Sequence, residues 1–457
     1  MKMVYGVKDK PKLPALIVFS LQQLLSIMAA TLVVPVIVGN GMSSAAALFG
    51  AGVGTIVYLL FTKFKSPVFL GSSFAFINSM FAAFAGAATV GLGYLGLIIG
   101  AILAGLVYVV IAVAVKIAGV NWINKLMPPV VIGPTVAIIG LSLAGNAVGD
   151  LQNGGLKIDN VSVCSPYVAI IVGLFTLAIV MICSTYGKGM PKLIPFIIGI
   201  LSGYALAAVL TIIGNACDYD ALKVIDFSKI TSVFDPVTVK SFFAVPEFTF
   251  IKAFGAFGEL SGSFIGTVAV AYVPVAFVVF AEHIADHKNL SSIIEQDLLE
   301  EPGLHRTLLG DGVGSMAGAF FGGCPNTTYG ESVGCVAITK NASVYSIIGA
   351  AILSIIIAFF TPFVAFVNSI PSCVMGGVCM ALYGFIAVSG LKMIKNVNLD
   401  ENKNLFVVSV IFISGIGGLS LTFGKVTLTT TAVSLILGIL VNLMLSRGKN
   451  DEAQLQK

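Results

Sequence analysis

Apolar runs recur along the chain at lengths that suit a lipid bilayer, about 17–25 residues each. Short polar stretches separate them. The pattern predicts fourteen membrane spans, at 13–36, 44–61, 67–85, 91–115, 127–146, 163–184, 193–214, 260–286, 304–322, 325–339, 342–367, 372–390, 405–423 and 427–446. Two of them, 67–85 and 325–339, are short, begin at a proline and carry Gly, Ser or Thr close by. Such residues suit extended backbone followed by a helix start. Irregular backbone survives at membrane depth only where protein buries it or a cavity adjoins it.

Composition agrees with this reading. The chain has 457 residues, 57% hydrophobic and only 10% charged, whereas soluble domains carry about 25% charged residues. The fold class expected is an all-α polytopic membrane protein. The net charge of +4 is spread over loops and forms no basic patch, so no nucleic-acid partner is expected. Seven cysteines without CxxC or Cys/His spacing suggest neither a disulfide framework nor a metal site. The lysines at 2, 8, 10 and 12 resemble a signal n-region, but the following apolar run is too long for one and reads as a retained first span. With the N-terminus inside, nineteen of the 25 basic residues fall on the cytoplasmic side. That bias predicts a multi-pass protein of the cytoplasmic membrane with both termini cytoplasmic.

An internal repeat is visible. Gly50-Ala51-Gly52-Val53-Gly54-Thr55 matches Gly310-Asp311-Gly312-Val313-Gly314-Ser315. Each copy precedes one of the proline-led polar segments, and Pro129-Val130-Val131-Ile132-Gly133 echoes Pro371 to Gly376. Seven spans per half is an odd number, so the second copy is expected to be inverted. Inverted repeats with paired interrupted segments point to a secondary transporter with a midplane site.

The candidate site lies between Phe280 and Glu331. Glu282, Asp286, Asp311 and Glu331 sit in or against apolar segments. Carboxyl groups at membrane depth usually face an internal cavity and mark a pathway for substrate or protons. Two half-helices starting near the midplane would aim N–H groups and positive dipole ends at carbonyl oxygens of a small polar molecule, and the acids would accept its N–H groups. Asp286 lies one turn after Glu282, on the same face. A solvated position near the inner surface is expected for His283, His287 and His305. An anion carrier would be expected to place Lys or Arg near the half-helices, where this chain has none. There is no Ser/His pair and no metal-ligand set, so an enzyme is not expected.

The stretches Leu70-Gly71-Ser72-Ser73-Phe74-Ala75-Phe76, Ala281-Glu282-His283, Pro325 to Glu331 and Pro371 to Gly377 resemble the nucleobase–ascorbate transporter family (nucleobase:cation symporter 2), with the bacterial uracil permeases as the nearest branch. The resemblance runs from about Gly6 to the last span. It implies a proton-coupled nucleobase importer without other cofactors, embedded in membrane lipid and commonly a homodimer. It further implies a core domain at 13–125 and 260–367, a gate domain at 127–214 and 372–446, and an extracytoplasmic loop at 215–259. Two short antiparallel strands, in spans 3 and 10, would meet at the core centre.

By the same resemblance, Glu282 binds the base and couples protons. Glu331 accepts from a ring N–H, where purine-type members usually have Gln. Phe74 and Ala30 pack on the base, Tyr329 and Gly330 reach it through their backbone, and Tyr383 lines the gate side. Asp286 and Asp311 match acids of purine-type members, and are read as tuning Glu282 or carrying protons. The chain departs from the family at Gln22-Gln23, where Gln-His is usual, and at Ser332, where Asn is usual. Uracil is the expected substrate, and xanthine or uric acid symport remains the alternative.

Overall fold

The computed structural model describes residues 3–119, 128–158, 161–395, 397–423 and 426–455. The boundary expected between the first core and gate pieces, at residues 125–127, lies outside them. The apolar runs form mainly helices, which pair most backbone polar groups within their own segment, as hydrocarbon demands. In chain order these are α1 (Leu13–Val38), α2 (Ser44–Phe61), α3 (Ile77–Ala85), α4 (Val90–Ala118), α5 (Pro129–Ser142), α6 (Ala144–Leu151), α7 (Pro166–Tyr186) and α8 (Pro195–Ala216). They continue with α9 (Gly262–Ile294), α10 (Leu304–Gly322), α11 (Gly330–Thr339), α12 (Val344–Ile357), α13 (Thr361–Ser369), α14 (Ser372–Met393), α15 (Asn402–Ile416) and α16 (Thr430–Leu455). Among the described residues, eight helical segments are long and apolar enough to cross a membrane. Proline occupies the first turn of α1, α5, α7 and α8, where its missing N–H would have no helical partner anyway. Hydroxyls of Ser43, Thr89 and Ser261 cap α2, α4 and α9.

The helices pack in two groups: α1–α4 with α9–α12, and α5–α8 with α14–α16. The Gly-rich sequence repeat meets itself where α2 crosses α10. A Cβ on Gly54 would lie 2.7 Å from the Gly314 carbonyl oxygen, and one on Gly314 would lie 2.7 Å from that of Gly54. The outer faces of the two copies are also alike. Gly52 abuts Ala351 of α12, and Gly312 abuts Gly105 of α4. Small residues of this kind let backbones approach closely in lipid, where van der Waals contact drives association.

Between the crossing helices, β1 (Leu70–Ser72) pairs antiparallel with β2 (Asn326–Thr328), Leu70 opposite Thr328 and Ser72 opposite Asn326. The expectation of two short antiparallel strands in these segments holds. Side chains satisfy further backbone groups at the start of β1. Leu70 N–H donates to Thr55 Oγ1 at 2.9 Å and Phe69 N–H to Ser332 Oγ at 2.9 Å, and the Gln23 amide also donates to Ser332. Gln23 and Ser332, the two departures from the family pattern, thus hydrogen-bond to each other. The Asn326 amide reaches back to Gly50 O at 3.1 Å and ties β2 to the helix crossing.

Several expectations are corrected. The run at 260–286 belongs to a helix that continues to Ile294, so Glu282 lies well inside it. Beyond Glu282, His283, Asp286, His287 and Ser291 find hydrogen-bond partners within the protein. His283 and His287 are fully buried, not solvated, and His305 is partly buried. The run at 342–367 divides into α12 and α13, because Phe360 is extended and Pro362 starts a new helix. The run at 405–423 ends as a helix at Ile416, before Gly417-Gly418, and continues as a strand, Leu421–Phe423, that pairs with Val426–Leu428.

Candidate functional site

Each strand of the central pair runs directly into a helix. β1 leads through a helical turn, Phe74–Phe76, into α3, and β2 leads through Tyr329 into α11. The starts of these two helices face a cavity of about 390 Å³. Its wall on the strand side contains Ser73, Phe74, Thr327, Thr328, Tyr329 and Gly330. Glu331 occupies the first turn of α11, where a carboxylate is favoured by the helix dipole. Glu282 and Asp286 enter from α9, one turn apart. The opposite wall is apolar and comes from the second helix group, through Val136 of α5, Phe196 of α8, and Leu382, Phe385 and Ile386 of α14. No Lys or Arg is among the residues lining the cavity.

The local geometry explains these positions. Thr327 and Thr328 point to opposite sides of β2, as strand alternation requires. Thr328 Oγ1 donates to Asp286 Oδ2 at 2.8 Å on the cavity side. Thr327 Oγ1 reaches Asp311 Oδ2 at 3.5 Å on the other. The Tyr329 hydroxyl donates to Ser72 O at 2.5 Å, so its ring locks the end of β1 and its backbone edges the cavity. Gly71 leaves room for that ring: a Cβ there would sit 2.5 Å from Tyr329 Cζ.

Six of the nine residues singled out from the sequence converge on this cavity: Glu282, Glu331, Phe74, Tyr329, Gly330 and Asp286. The other three lie behind it. Ala30 is buried on α1, in the apolar cluster that also holds Leu70 and Tyr329. Tyr383 is buried on α14 and meets Phe74 edge-on, with ring centroids 6.1 Å apart. Asp311 is buried on α10, where its Oδ2 lies 2.6 Å from His283 Nδ1. Sequence reasoning missed Thr328 and the buried histidines. A hydroxyl beside an expected half-helix and an acid-histidine pair on one apolar run were the signals available.

The arrangement can hold a flat, neutral, polar ring. Donors at two helix starts and acceptors on three carboxyl groups face one another across a space closed by aromatic and aliphatic side chains.

Comparison with known proteins gives a family. The model of the Permease family matches residues 14–424. The chain is 38% identical over 456 residues to the uracil permease of Bacillus subtilis (strain 168), covering 99% of this chain and 97% of that one. It is 39% identical over 447 residues to the uracil permease of Bacillus caldolyticus, covering 97% and 95%. Among solved structures, the transmembrane domain of the cyanobacterial bicarbonate transporter BicA superposes with a TM-score of 0.63 at 15% identity, covering 95% of this chain and 100% of that domain. At that identity the likeness concerns the fold alone. By this match along nearly its whole length, the chain belongs to the nucleobase–ascorbate transporter family of membrane permeases, which are transporters and not enzymes.

Proposed function

We propose that the chain imports uracil across the cytoplasmic membrane together with a proton, by alternating access. The observation that carries this reading is the convergence of Glu282, Asp286 and Glu331 on one cavity, beside two helix starts and with no lining cation. Uracil offers ring N–H groups to the acids and carbonyl oxygens to the helix starts. Kinship with permeases named for uracil supports the substrate. Glu282 binds the base and carries the proton, Asp286 tunes it, Glu331 accepts a ring N–H, and Asp311 takes part in proton exchange. Phe74 and the backbone of Tyr329 and Gly330 form the slot, with Ala30 and Tyr383 supporting it from behind.

In this reading the chain has fourteen segments in a seven-plus-seven inverted repeat, with both termini cytoplasmic. The first helix group acts as the core and the second as the gate, and the carrier works as a homodimer. The reciprocal glycine contacts at the α2–α10 crossing support an inverted repeat, and packing within two groups supports rigid-body movement of one against the other.

The test is uptake of labelled uracil in cells lacking their own carrier, with excess xanthine as competitor and a protonophore arm. Uptake abolished by the protonophore and untouched by xanthine is the expected result. Xanthine uptake without uracil uptake would overturn the substrate. Glu331→Gln replaces an acceptor by an amide that both donates and accepts. Losing a hydrogen bond to a charged group costs about 1.5–3 kcal/mol, so uracil affinity should fall roughly tenfold or more. Direct binding measurements on the purified variant check this, and an unchanged Kd would remove Glu331 from the site.

A further inference from the structure

One layer behind the cavity wall, three buried side chains make a closed chain of hydrogen bonds. Asp311 Oδ2 lies 2.6 Å from His283 Nδ1. His283 Nε2 lies 2.9 Å from Thr307 Oγ1, and Thr307 Oγ1 lies 3.0 Å from Leu304 O. The second carboxyl oxygen, Asp311 Oδ1, is buried without a partner among the described residues.

A hydroxyl has one hydrogen, so Thr307 donates either to the ring or to Leu304 O. If it donates to the ring, His283 is neutral with its hydrogen on Nδ1, and Asp311 is a carboxylate. If it donates to Leu304 O, His283 Nε2 must itself carry a hydrogen and donate it to Thr307. The group then holds one proton more, either on the ring or across the short Nδ1–Oδ2 contact on Asp311. Both arrangements satisfy every bond in the chain, and they differ by one proton and one hydroxyl rotation. The adjacent His287 donates from Nδ1 to His283 O at 2.8 Å, and its Nε2 lies 2.7 Å from the Tyr58 hydroxyl, which also lies 2.7 Å from Ser66 Oγ.

We propose that Asp311, His283 and Thr307 form a second proton-holding site behind the cavity wall. This rests on the proton-symport reading above. A proton released by a carboxyl group of the cavity adds to the Asp311–His283 pair, and Thr327, which lines the cavity and sets its hydroxyl 3.5 Å from Asp311 Oδ2, is the residue the two sites share. The pair's charge changes from −1 to zero, and Thr307 turns from the ring to Leu304 O. The reverse step returns the proton to the cavity. The titratable groups around it are Glu282, Asp286 and His287 on α9, Tyr108 edge-on to the ring from α4, and Tyr58 from α2. Arg306 of α10 is turned away and donates to Phe61 O at 3.0 Å. His283 and Thr307 act here as positioning residues that hold a proton for the carboxyl groups of the cavity.

The test is labelled uracil uptake into proteoliposomes from acid to alkaline pH, for the parent, Thr307→Val and Thr307→Ser. Valine keeps the shape but leaves an extra ring N–H without an acceptor, which disfavours the loaded state more than the unloaded one. The alkaline limb of uptake should move about one pH unit toward acid, roughly a tenfold loss at a fixed alkaline pH. Serine, which keeps the rotating hydroxyl, should restore the parent profile. A Thr307→Val profile that superimposes on the parent, or equal defects in Val and Ser, would overturn the proposal. If Thr307→Val does not fold, Asp311→Asn addresses the same point: its neutral amide cannot exchange a proton, so a parent-like alkaline limb would be decisive against the site. Parent uptake that ignores pH and protonophore would instead bring down the symport reading itself.

Discussion

Replacing Glu282 by Gln should abolish uphill uracil accumulation while leaving a folded carrier. A proton moving down a membrane potential supplies about 2.3 kcal/mol per 100 mV, enough for roughly fiftyfold accumulation of one substrate per proton. Gln keeps the size and hydrogen-bonding reach of Glu282 but takes up and releases no proton. Any residual transport by this variant is therefore facilitated exchange, and the internal-to-external ratio should settle near one. Glu282 suits this experiment because it lies well inside the 33-residue helix α9, lines the cavity, and has the second acid Asp286 one turn away. Steady-state accumulation of labelled uracil in energised vesicles, with exchange flux measured in parallel, separates coupling from binding. Normal uphill accumulation by Glu282→Gln would remove the residue from the proton pathway.

Much of the scaffold could be read from the sequence, because lipid leaves few options: a long apolar run becomes a helix. The two interrupted segments were also visible, since proline followed by Gly, Ser and Thr suits extended backbone before a helix start, and β1 and β2 stand there. What the chain did not reveal is pairing across distance. His283, His287 and the residues after them are polar, and hydropathy alone does not separate a polar residue in water from one with a partner inside the protein. His283 meets Thr307 and Asp311 only because α9 packs beside α10, 24 and 28 positions away in the chain. The same holds for Gln23, whose partner Ser332 is 309 positions distant. The acids at the cavity were legible because a carboxyl group in an apolar run stands out. Thr328 was not, because a threonine is unremarkable in any strand.

Gly54→Val should prevent accumulation of folded protein in the membrane. The α2–α10 crossing brings two backbones together with no side chain between them, and Gly54 faces both Gly314 O and the Asn326 amide, 2.7 and 2.6 Å from where a Cβ would stand. The Gly314 carbonyl cannot swing aside, since it belongs to a helix held on its other flank by α4. Asn326 is constrained as well, by its bond to Gly50 O. Overpacking a tight core costs about 1–3 kcal/mol where side chains can adjust. Here backbone must move, so the cost should reach or exceed the upper end of that range, against a total stability of about 5–15 kcal/mol for a typical protein. The strand pair should be disturbed first, because Asn326 opens β2. A matched control is Gly384→Ala on α14, where a Cβ would meet nothing within 4 Å and alanine is the better helix former. Size-exclusion profiles of the detergent-solubilised variants, with thermal melts, should show Gly384→Ala at or above the parent and Gly54→Val aggregated or melting well below it. Equal stability of the two would mean that the α2–α10 crossing is looser than the backbone geometry indicates.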